Sequence, residues 1–143
     1  MSLERITGAI VDASVRIHRD IGPGLFESVY ETALAASLER RGLQVERQVP
    51  IAFSYDGVEF DQGFRIDLLV ERCVIVEIKS VERFASVHVK QILTYLRLAD
   101  IQIGLILNFG ADMMKEGIKR VINDLPRSSS PPLLTPHSPP ARS

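Results

Sequence analysis

The chain has 143 residues, of which 45% are hydrophobic and 24% charged, and its formal net charge is −1. These values are typical of one globular domain with one core. The near-zero net charge gives no electrostatic indication of tight, non-specific nucleic-acid binding, although a few local phosphate contacts remain compatible with it.

The composition also indicates where the protein works. No apolar run is long enough to span a bilayer, and the start of the chain lacks the basic and then unbroken apolar pattern of a signal peptide. Cys73 is the single cysteine, which excludes an intrachain disulfide. We therefore expect a cytoplasmic protein that does not associate with membranes.

Two helices are predicted at the beginning of the chain. Apolar residues recur at helical spacing from Leu3 to His18, and Gly22-Pro23-Gly24 then interrupts the pattern. A second helix is predicted from about Leu25 to Arg41, where the following Gly42 is a natural stop.

The hydrophobic period then changes to two, which predicts strands. Apolar and polar residues alternate from Leu43 to Ser54 and again from Val58 to Val70, with the hairpin signal Asp56-Gly57 between them. We expect the apolar residues of the second strand on one face and its polar residues, including Asp67, on the other. A third strand is predicted from Cys73 to Ser80.

The remaining segments complete a predicted α/β fold of the order ααβββαβα. Helical spacing returns from Ala85 to Ala99, a nearly continuous apolar run from Ile101 to Leu107 is typical of a strand covered on both faces, and a last helix is predicted from Asp112 to Asn123. A hairpin unit followed by a β–α–β crossover indicates a mixed four-stranded sheet flanked by helices. The domain is expected over residues 1–125, followed by a disordered, Pro- and Ser-rich tail over residues 126–143.

Three charged residues of the second and third strands form a candidate site. Glu77 and Lys79 are two residues apart and therefore share a face of their strand. Asp67 joins them if it lies directly opposite Glu77, a register that also pairs Val70 with Val74 and leaves a three-residue turn. A two-residue turn would move Glu77 to the opposite face. The hypothesis of a shared site therefore predicts the length of the turn.

The residue types of this site point to phosphate chemistry. Two carboxylates on one face offer hard oxygen ligands, which suit Mg²⁺ or Mn²⁺. A metal ion there can polarise a phosphate and acidify a water molecule, and Lys79 can orient that water or stabilise charge on the phosphate. Alternating charges also occur by chance on exposed strands. The strand around Glu77 is so apolar, however, that unpaired charges would be costly, which favours a functional role.

The sequence also resembles a known family. The segment Gly24-Leu-Phe-Glu27-Ser-Val-Tyr30 matches the motif that names the GxxExxY proteins, a small bacterial and archaeal group, and the resemblance extends from about Leu3 to Leu125. It includes Phe64-Arg-Ile-Asp67 and Glu77-Ile-Lys79. The group is assigned to the PD-(D/E)xK nuclease superfamily, so the resemblance implies a restriction-endonuclease-like core with its site at Asp67, Glu77 and Lys79.

The resemblance implies roles for three more residues. Glu27 would be the acidic residue that the first core helix of the superfamily often contributes, as a metal ligand or a base beside the metal. Gln91 and Tyr95 resemble a Gln-x-x-x-Tyr motif of the exonuclease-like branch and would orient substrate or water. Their spacing of four places them on one helical face. From the residues alone, Glu27 is equally well explained as an exposed acid that favours the positive end of a helix.

Three functions are compatible with these features. The first is a Mg²⁺- or Mn²⁺-dependent nuclease for DNA or RNA, in which Asp67, Glu77 and Glu27 bind the metal and Lys79, Gln91 and Tyr95 assist. The second is a catalytically inactive nuclease fold that binds nucleic acid or a protein partner. The third is a homodimer contact formed by the charged strand face. The first requires the acidic residues and Lys79 to converge in one concave pocket.

Overall fold

The computed structural model describes residues 1–124, so the tail predicted over residues 126–143 lies outside the described residues. Its elements in chain order are α1 (Leu3–Ile21), α2 (Glu27–Arg40), β1 (Val45–Tyr55), β2 (Val58–Val70), β3 (Val74–Lys79), α3 (Ser86–Ala99), β4 (Ile103–Asn108), a 3₁₀ helix (Met114–Gly117) and β5 (Ile118–Ile122). No helix within these 124 residues is long and apolar enough to cross a membrane.

The strands form one mixed sheet in the order β1-β2-β3-β4-β5. Neighbouring strands are antiparallel except for β3 and β4, which are parallel because α3 connects them as a crossover. This α/β architecture, with a mixed sheet flanked by helices, is the predicted fold class. The sheet has five strands rather than the predicted four.

Two hydrophobic clusters cover the sheet. One cluster joins α1 and α2 to five residues of β2 and β3: Leu68, Val70, Val74, Val76 and Ile78. The second cluster joins α3 to the opposite face of the sheet, including Leu69, Ile75 and Ile106. All six residues of β4 are buried, as are the first five of β3, so β3 and β4 are central strands covered by helices on both faces.

The turn between β2 and β3 has the length that the candidate site requires. Val70 pairs with Val74, which leaves Glu71, Arg72 and Cys73 as a three-residue turn and confirms the prediction. Backbone pairing continues to Leu68 with Val76 and stops there. The next two opposed positions are those of Asp67 and Glu77, at the point where the two strands separate.

The simple alternation predicted for β1 and β2 is wrong at one position. Ile66 packs in the α3-side cluster and Leu68 in the α1/α2-side cluster, although residues two apart in a regular strand share a face. In β1 as well, the apolar residue before Gln48 packs in one cluster and the buried apolar residues after it pack in the other. Gln48 lies opposite Asp67 and has a left-handed φ of 52°. A local twist at this pair of residues therefore reverses the face of the sheet to which the alternating apolar residues of both strands point.

The helix predicted from Asp112 to Asn123 is also wrong. This segment forms the short 3₁₀ helix and then β5, which pairs with β4 in antiparallel orientation. Without β5, the wholly buried strand β4 would leave a row of backbone groups unpaired at the edge of the sheet. The tertiary need for a strand therefore overrides the helical spacing of the local sequence.

A buried asparagine fixes the loop after β3. The Asn108 side chain accepts hydrogen bonds from the backbone amides of Val81 (2.9 Å) and Gly110 (3.0 Å), and it donates one to the Val81 carbonyl (2.9 Å). A Cβ atom at Gly110 would lie 2.6 Å from the Val81 nitrogen, closer than real Cβ contacts allow. Glycine is therefore required where this loop, which follows Lys79, packs against the end of β4.

We predict that Gly110→Ala destabilises the protein by about 1–3 kcal/mol, because the added methyl group collides with the Val81 backbone. The matched control is Gly8→Ala in α1, where no neighbouring atom lies within 4 Å of the added Cβ. It should stabilise the protein by about 0.5–1 kcal/mol because alanine is the better helix former. Urea unfolding of both variants measures the two effects, and equal stabilities would contradict the proposed close approach.

Candidate active site

Two carboxylates meet where β2 and β3 separate. One Asp67 carboxylate oxygen accepts a hydrogen bond from the Ile78 backbone amide at 2.8 Å, and the Asp67 backbone amide donates one to a Glu77 carboxylate oxygen at 3.2 Å. These bonds occupy the place of the regular strand pairing, which ends one residue earlier. These two bonds bring the side chains of Asp67 and Glu77 to the same opening between β2 and β3.

Burial and nearby acidic charges raise the pKa of both acids. Glu77 is only 7% exposed, and burial followed by the Asp67 charge raises its pKa from 4.5 to about 8. Burial is also the largest cause that raises the pKa of Asp67, and the charges of Glu31 and Glu27 add to it. Lys79 acts in the opposite direction, since its positive charge lowers the pKa of Glu77. A cation beside this pair of acids would favour their ionised forms.

Helix α2 begins beside the end of β3. Glu27 is the first residue of α2 and is exposed, and its carboxylate accepts a hydrogen bond from the Ser80 backbone amide at 3.3 Å. The Ser80 hydroxyl in turn donates to the Leu25 carbonyl at 2.8 Å. A shallow depression of about 560 Å³ is lined here by Gly24, Leu25, Phe26, Glu27, Ser28 and Ser80. Glu27 thus lies at the positive end of a helix, where an exposed acid is favoured, and it also contacts Ser80, the residue after Lys79.

The other two residues of the GxxExxY pattern support this helix start. Tyr30 is fully buried and stacks on Phe109, with the ring centroids 4.3 Å apart and the planes at 6°. Its hydroxyl donates to the Gly22 carbonyl at 2.6 Å and accepts from the Leu25 amide at 3.0 Å. Gly24 has a φ of 92°, a conformation that other residues rarely adopt. The pattern therefore builds the turn that presents Glu27.

Gln91 and Tyr95 share a face of α3, as predicted. Tyr95 is half-buried and stacks on Phe64 with centroids 4.2 Å apart. Its pKa is raised by burial first and then by the charges of Glu77 and Asp67, while the neighbouring Gln91 side chain lowers it. This shift indicates that the tyrosine hydroxyl lies within electrostatic range of the two acids, on the α3 side of the site.

Sequence reasoning missed a second group of polar residues at the site. Glu31 is buried in α2, where its carboxylate accepts hydrogen bonds from Arg47 at 3.1 Å and from Gln48 at 2.7 Å. Gln48 also donates to Asp67 at 3.4 Å. A spacing of four from Glu27 to Glu31 places both acids on one face of α2 and could have indicated Glu31. No comparable sequence signal identifies Gln48, because its contact with Glu31 depends on a left-handed backbone residue that no local feature marks.

The acidic pair fits a magnesium ion. Within residues 1–124, no three His, Cys, Asp or Glu side chains form a ready-made metal-binding group. Mg²⁺ is nevertheless usually bound by one or two carboxylates together with water and substrate phosphates. Asp67 and Glu77 supply such a pair, and a cation beside them would favour the ionised forms that burial opposes. Manganese accepts the same oxygen ligands.

Comparison with known proteins identifies one family. The sequence profile described as the PD-(D/E)XK nuclease superfamily matches residues 4–121, which run from the first turn of α1 into β5 and include all the candidate site residues. No curated protein and no solved structure matches the chain significantly.

We predict that the metal-free protein loses stability as the pH rises from about 5 to about 8. In this window Glu77 stays protonated in the folded state, with a pKa of about 8, but ionises in the unfolded state near its ordinary 4.5. The unfolded state therefore binds fewer protons, and the free energy of unfolding falls by up to about 1.4 kcal/mol per pH unit. Urea unfolding at several pH values, with a chelator present, measures this slope.

Glu77→Gln is the control for this titration, because it keeps the shape of the side chain and removes its ionisation. The variant should show a clearly smaller fall in stability between pH 5 and pH 8 than the wild type. Equal slopes for the two proteins would show that Glu77 ionises normally in the folded state.

Proposed function

Because the chain belongs to the PD-(D/E)XK nuclease superfamily, whose members generally use divalent metal ions, we propose that it is a Mg²⁺- or Mn²⁺-dependent phosphodiesterase that cleaves DNA or RNA. The observation that carries the proposal is the pair of hydrogen bonds at the opening of the sheet, from the Asp67 amide to the Glu77 carboxylate and from the Ile78 amide to the Asp67 carboxylate. Within the superfamily we assign the chain to the GxxExxY group, on the motif from Gly24 to Tyr30. The proposed catalytic domain is residues 1–125.

In this proposal Asp67 and Glu77 hold the metal ion, and Glu27 is available as a further acid at the same end of the sheet. When bound, a divalent ion would polarise the substrate phosphate and acidify a water molecule. Lys79 stands at the end of β3, two residues from Glu77, where its ammonium group orients the attacking water or stabilises charge on the phosphate. Its charge also lowers the pKa of Glu77 and so keeps that carboxylate closer to ionisation.

The α3 side supplies substrate contacts. The Phe64 ring restricts the Tyr95 ring by stacking, and Gln91 lies beside Tyr95 on the same helix. Restricted side chains lose less entropy when they bind a ligand. We propose that Gln91 and Tyr95 orient the substrate backbone beside the metal ligands, in the role that the Gln-x-x-x-Tyr motif implies.

One observation favours the alternative, a catalytically inactive module that binds a protein partner or a second copy of the chain. The residues of β2 before Leu68 pair only with β1, so the β1–β2 hairpin extends past the rest of the sheet. Near its end Tyr55 is 73% exposed, and Val58 and Phe60 are exposed as well. An exposed apolar surface of this kind is often a protein interaction site.

Metal titration is the first test of the proposed function. Isothermal titration of Mn²⁺ and Mg²⁺ should detect binding to the wild type and none to an Asp67→Ala/Glu77→Ala variant, because the variant lacks both carboxylate ligands. The titration is repeated with a non-cleavable phosphorothioate oligonucleotide, since substrate oxygens complete the ligand set of Mg²⁺. A folded wild type that binds neither ion in either condition would contradict the nuclease and favour the binding module.

We predict that Lys79→Ala separates metal binding from catalysis. Loss of the ammonium group should reduce cleavage by about 10²–10³-fold, because the group acts on charge that develops during the reaction. Mn²⁺ binding should persist in the variant, because both carboxylate ligands of the proposed site remain.

Cleavage is measured on single- and double-stranded DNA and on RNA, each in linear and circular form, with Lys119→Ala as the matched control. Lys119 is an exposed lysine of β5, a strand that does not carry the site. The Lys119→Ala variant should cleave these substrates at the wild-type rate. Wild-type rates in Lys79→Ala would exclude the proposed role of this lysine.

A further inference from the structure

Gln48 has an unusual conformation at a position that matters for the site. It lies in β1 opposite Asp67, and its φ of 52° is in the left-handed region. A residue with a side chain costs free energy in this region, and glycine would be favoured there on conformational grounds alone. Strained backbone of this kind persists where the surrounding contacts determine it, and it clusters at functional sites.

The Gln48 side chain links two acids that belong to different elements. Its amide nitrogen donates one hydrogen bond to Glu31 of α2 at 2.7 Å and another to Asp67 of β2 at 3.4 Å. The orientation of the amide follows from chemistry, since the opposite orientation would place its oxygen against two carboxylates. Both hydrogens of one NH₂ group are therefore used to hold two acids that would otherwise repel each other.

Glu31 is itself fixed. It is buried, and its second carboxylate oxygen accepts a hydrogen bond from Arg47, with which it forms an ion pair at 3.1 Å. The series Arg47–Glu31–Gln48 thus reaches Asp67 from the α2 side. The Ile78 amide reaches the other Asp67 oxygen from β3 at 2.8 Å.

We propose that Gln48 is a positioning residue for Asp67, an inference that rests on the proposed metal site. Gln48 and the Ile78 amide each hold one oxygen of the Asp67 carboxylate, which sets its plane and aims it at the space shared with Glu77. Each carboxylate oxygen has two lone pairs, so one hydrogen bond per oxygen leaves capacity for a metal ion. Hydrogen-bond partners that orient a ligand in this way contribute strongly to metal affinity.

The test compares Gln48→Gly with Asp56→Gly. The first removes the amide and relaxes the backbone, and the second makes the same kind of change at another left-handed residue, with a φ of 53°, in the β1–β2 turn. Mn²⁺ affinity measured by calorimetry should fall about 10–100-fold in Gln48→Gly, the usual cost of losing such a partner, and should stay unchanged in Asp56→Gly. Gln48→Asn is the second variant if the glycine variant does not fold, because asparagine tolerates the left-handed region and its shorter side chain cannot span both acids.

A measurement without metal separates this inference from the proposed function. Amide hydrogen exchange of Ile78 reports the bond to Asp67 directly, and in Gln48→Gly it should become at least several-fold faster than in the wild type, while the amide of Ile75 within the regular ladder stays the same. If the wild type binds no Mn²⁺, the nuclease proposal fails and the exchange rate alone decides the role of Gln48. Unchanged Ile78 exchange, or wild-type Mn²⁺ affinity in Gln48→Gly, would overturn the assignment.

Discussion

The reciprocal hydrogen bonds between Asp67, Glu77 and the backbone of β2 and β3 are the constraint on which the site depends. Two acids can share a partly buried position only if each receives donors, because burial and mutual repulsion both oppose their ionisation. The backbone provides these donors at the point where the two strands separate, since the amides of Asp67 and Ile78 no longer bond across a regular ladder. The opening of the sheet and the acidic pair are therefore one feature.

The surrounding framework fixes the groups on either side of this opening. Tyr30 and Gly24 shape the turn that presents Glu27, and Glu27 is bonded to the amide of Ser80, the residue after Lys79. The next residue of the loop, Val81, is held by Asn108 at the end of β4. The Asn108 side chain makes three hydrogen bonds to the backbone of Val81 and Gly110. The end of β3 is thus attached both to α2 and to β4, which limits the freedom of the segment that carries Lys79.

The parts of this arrangement that depend on local periodicity could be predicted from the sequence. The two-residue spacing of Glu77 and Lys79 sets their common face, and the requirement that Asp67 lie opposite Glu77 implies the three-residue turn that the structure contains. The prediction of a helix over residues 112–123 was wrong because the local spacing is helical, whereas the backbone groups at the edge of β4 require a pairing strand. The contact of Gln48 with Glu31 was also beyond prediction, because it depends on one left-handed residue that no local feature marks.

The charge of the whole chain gives little information about the charge at the site. The net charge is −1, yet four acids lie in one small region where burial, followed by their charges, raises the pKa values of Asp67 and Glu77. These acids are Glu27, Glu31, Asp67 and Glu77. Among the cations, Arg47 pairs with Glu31 and Lys79 lowers the pKa of Glu77. Such a region repels the phosphates of a nucleic acid as long as its acids are ionised and unpaired. In the proposed function, the binding of a divalent cation and of substrate would therefore favour each other, because each offsets charge that opposes the other. A near-neutral protein without a broad basic surface can bind a polyanion in this way, at the one place where the cation is held.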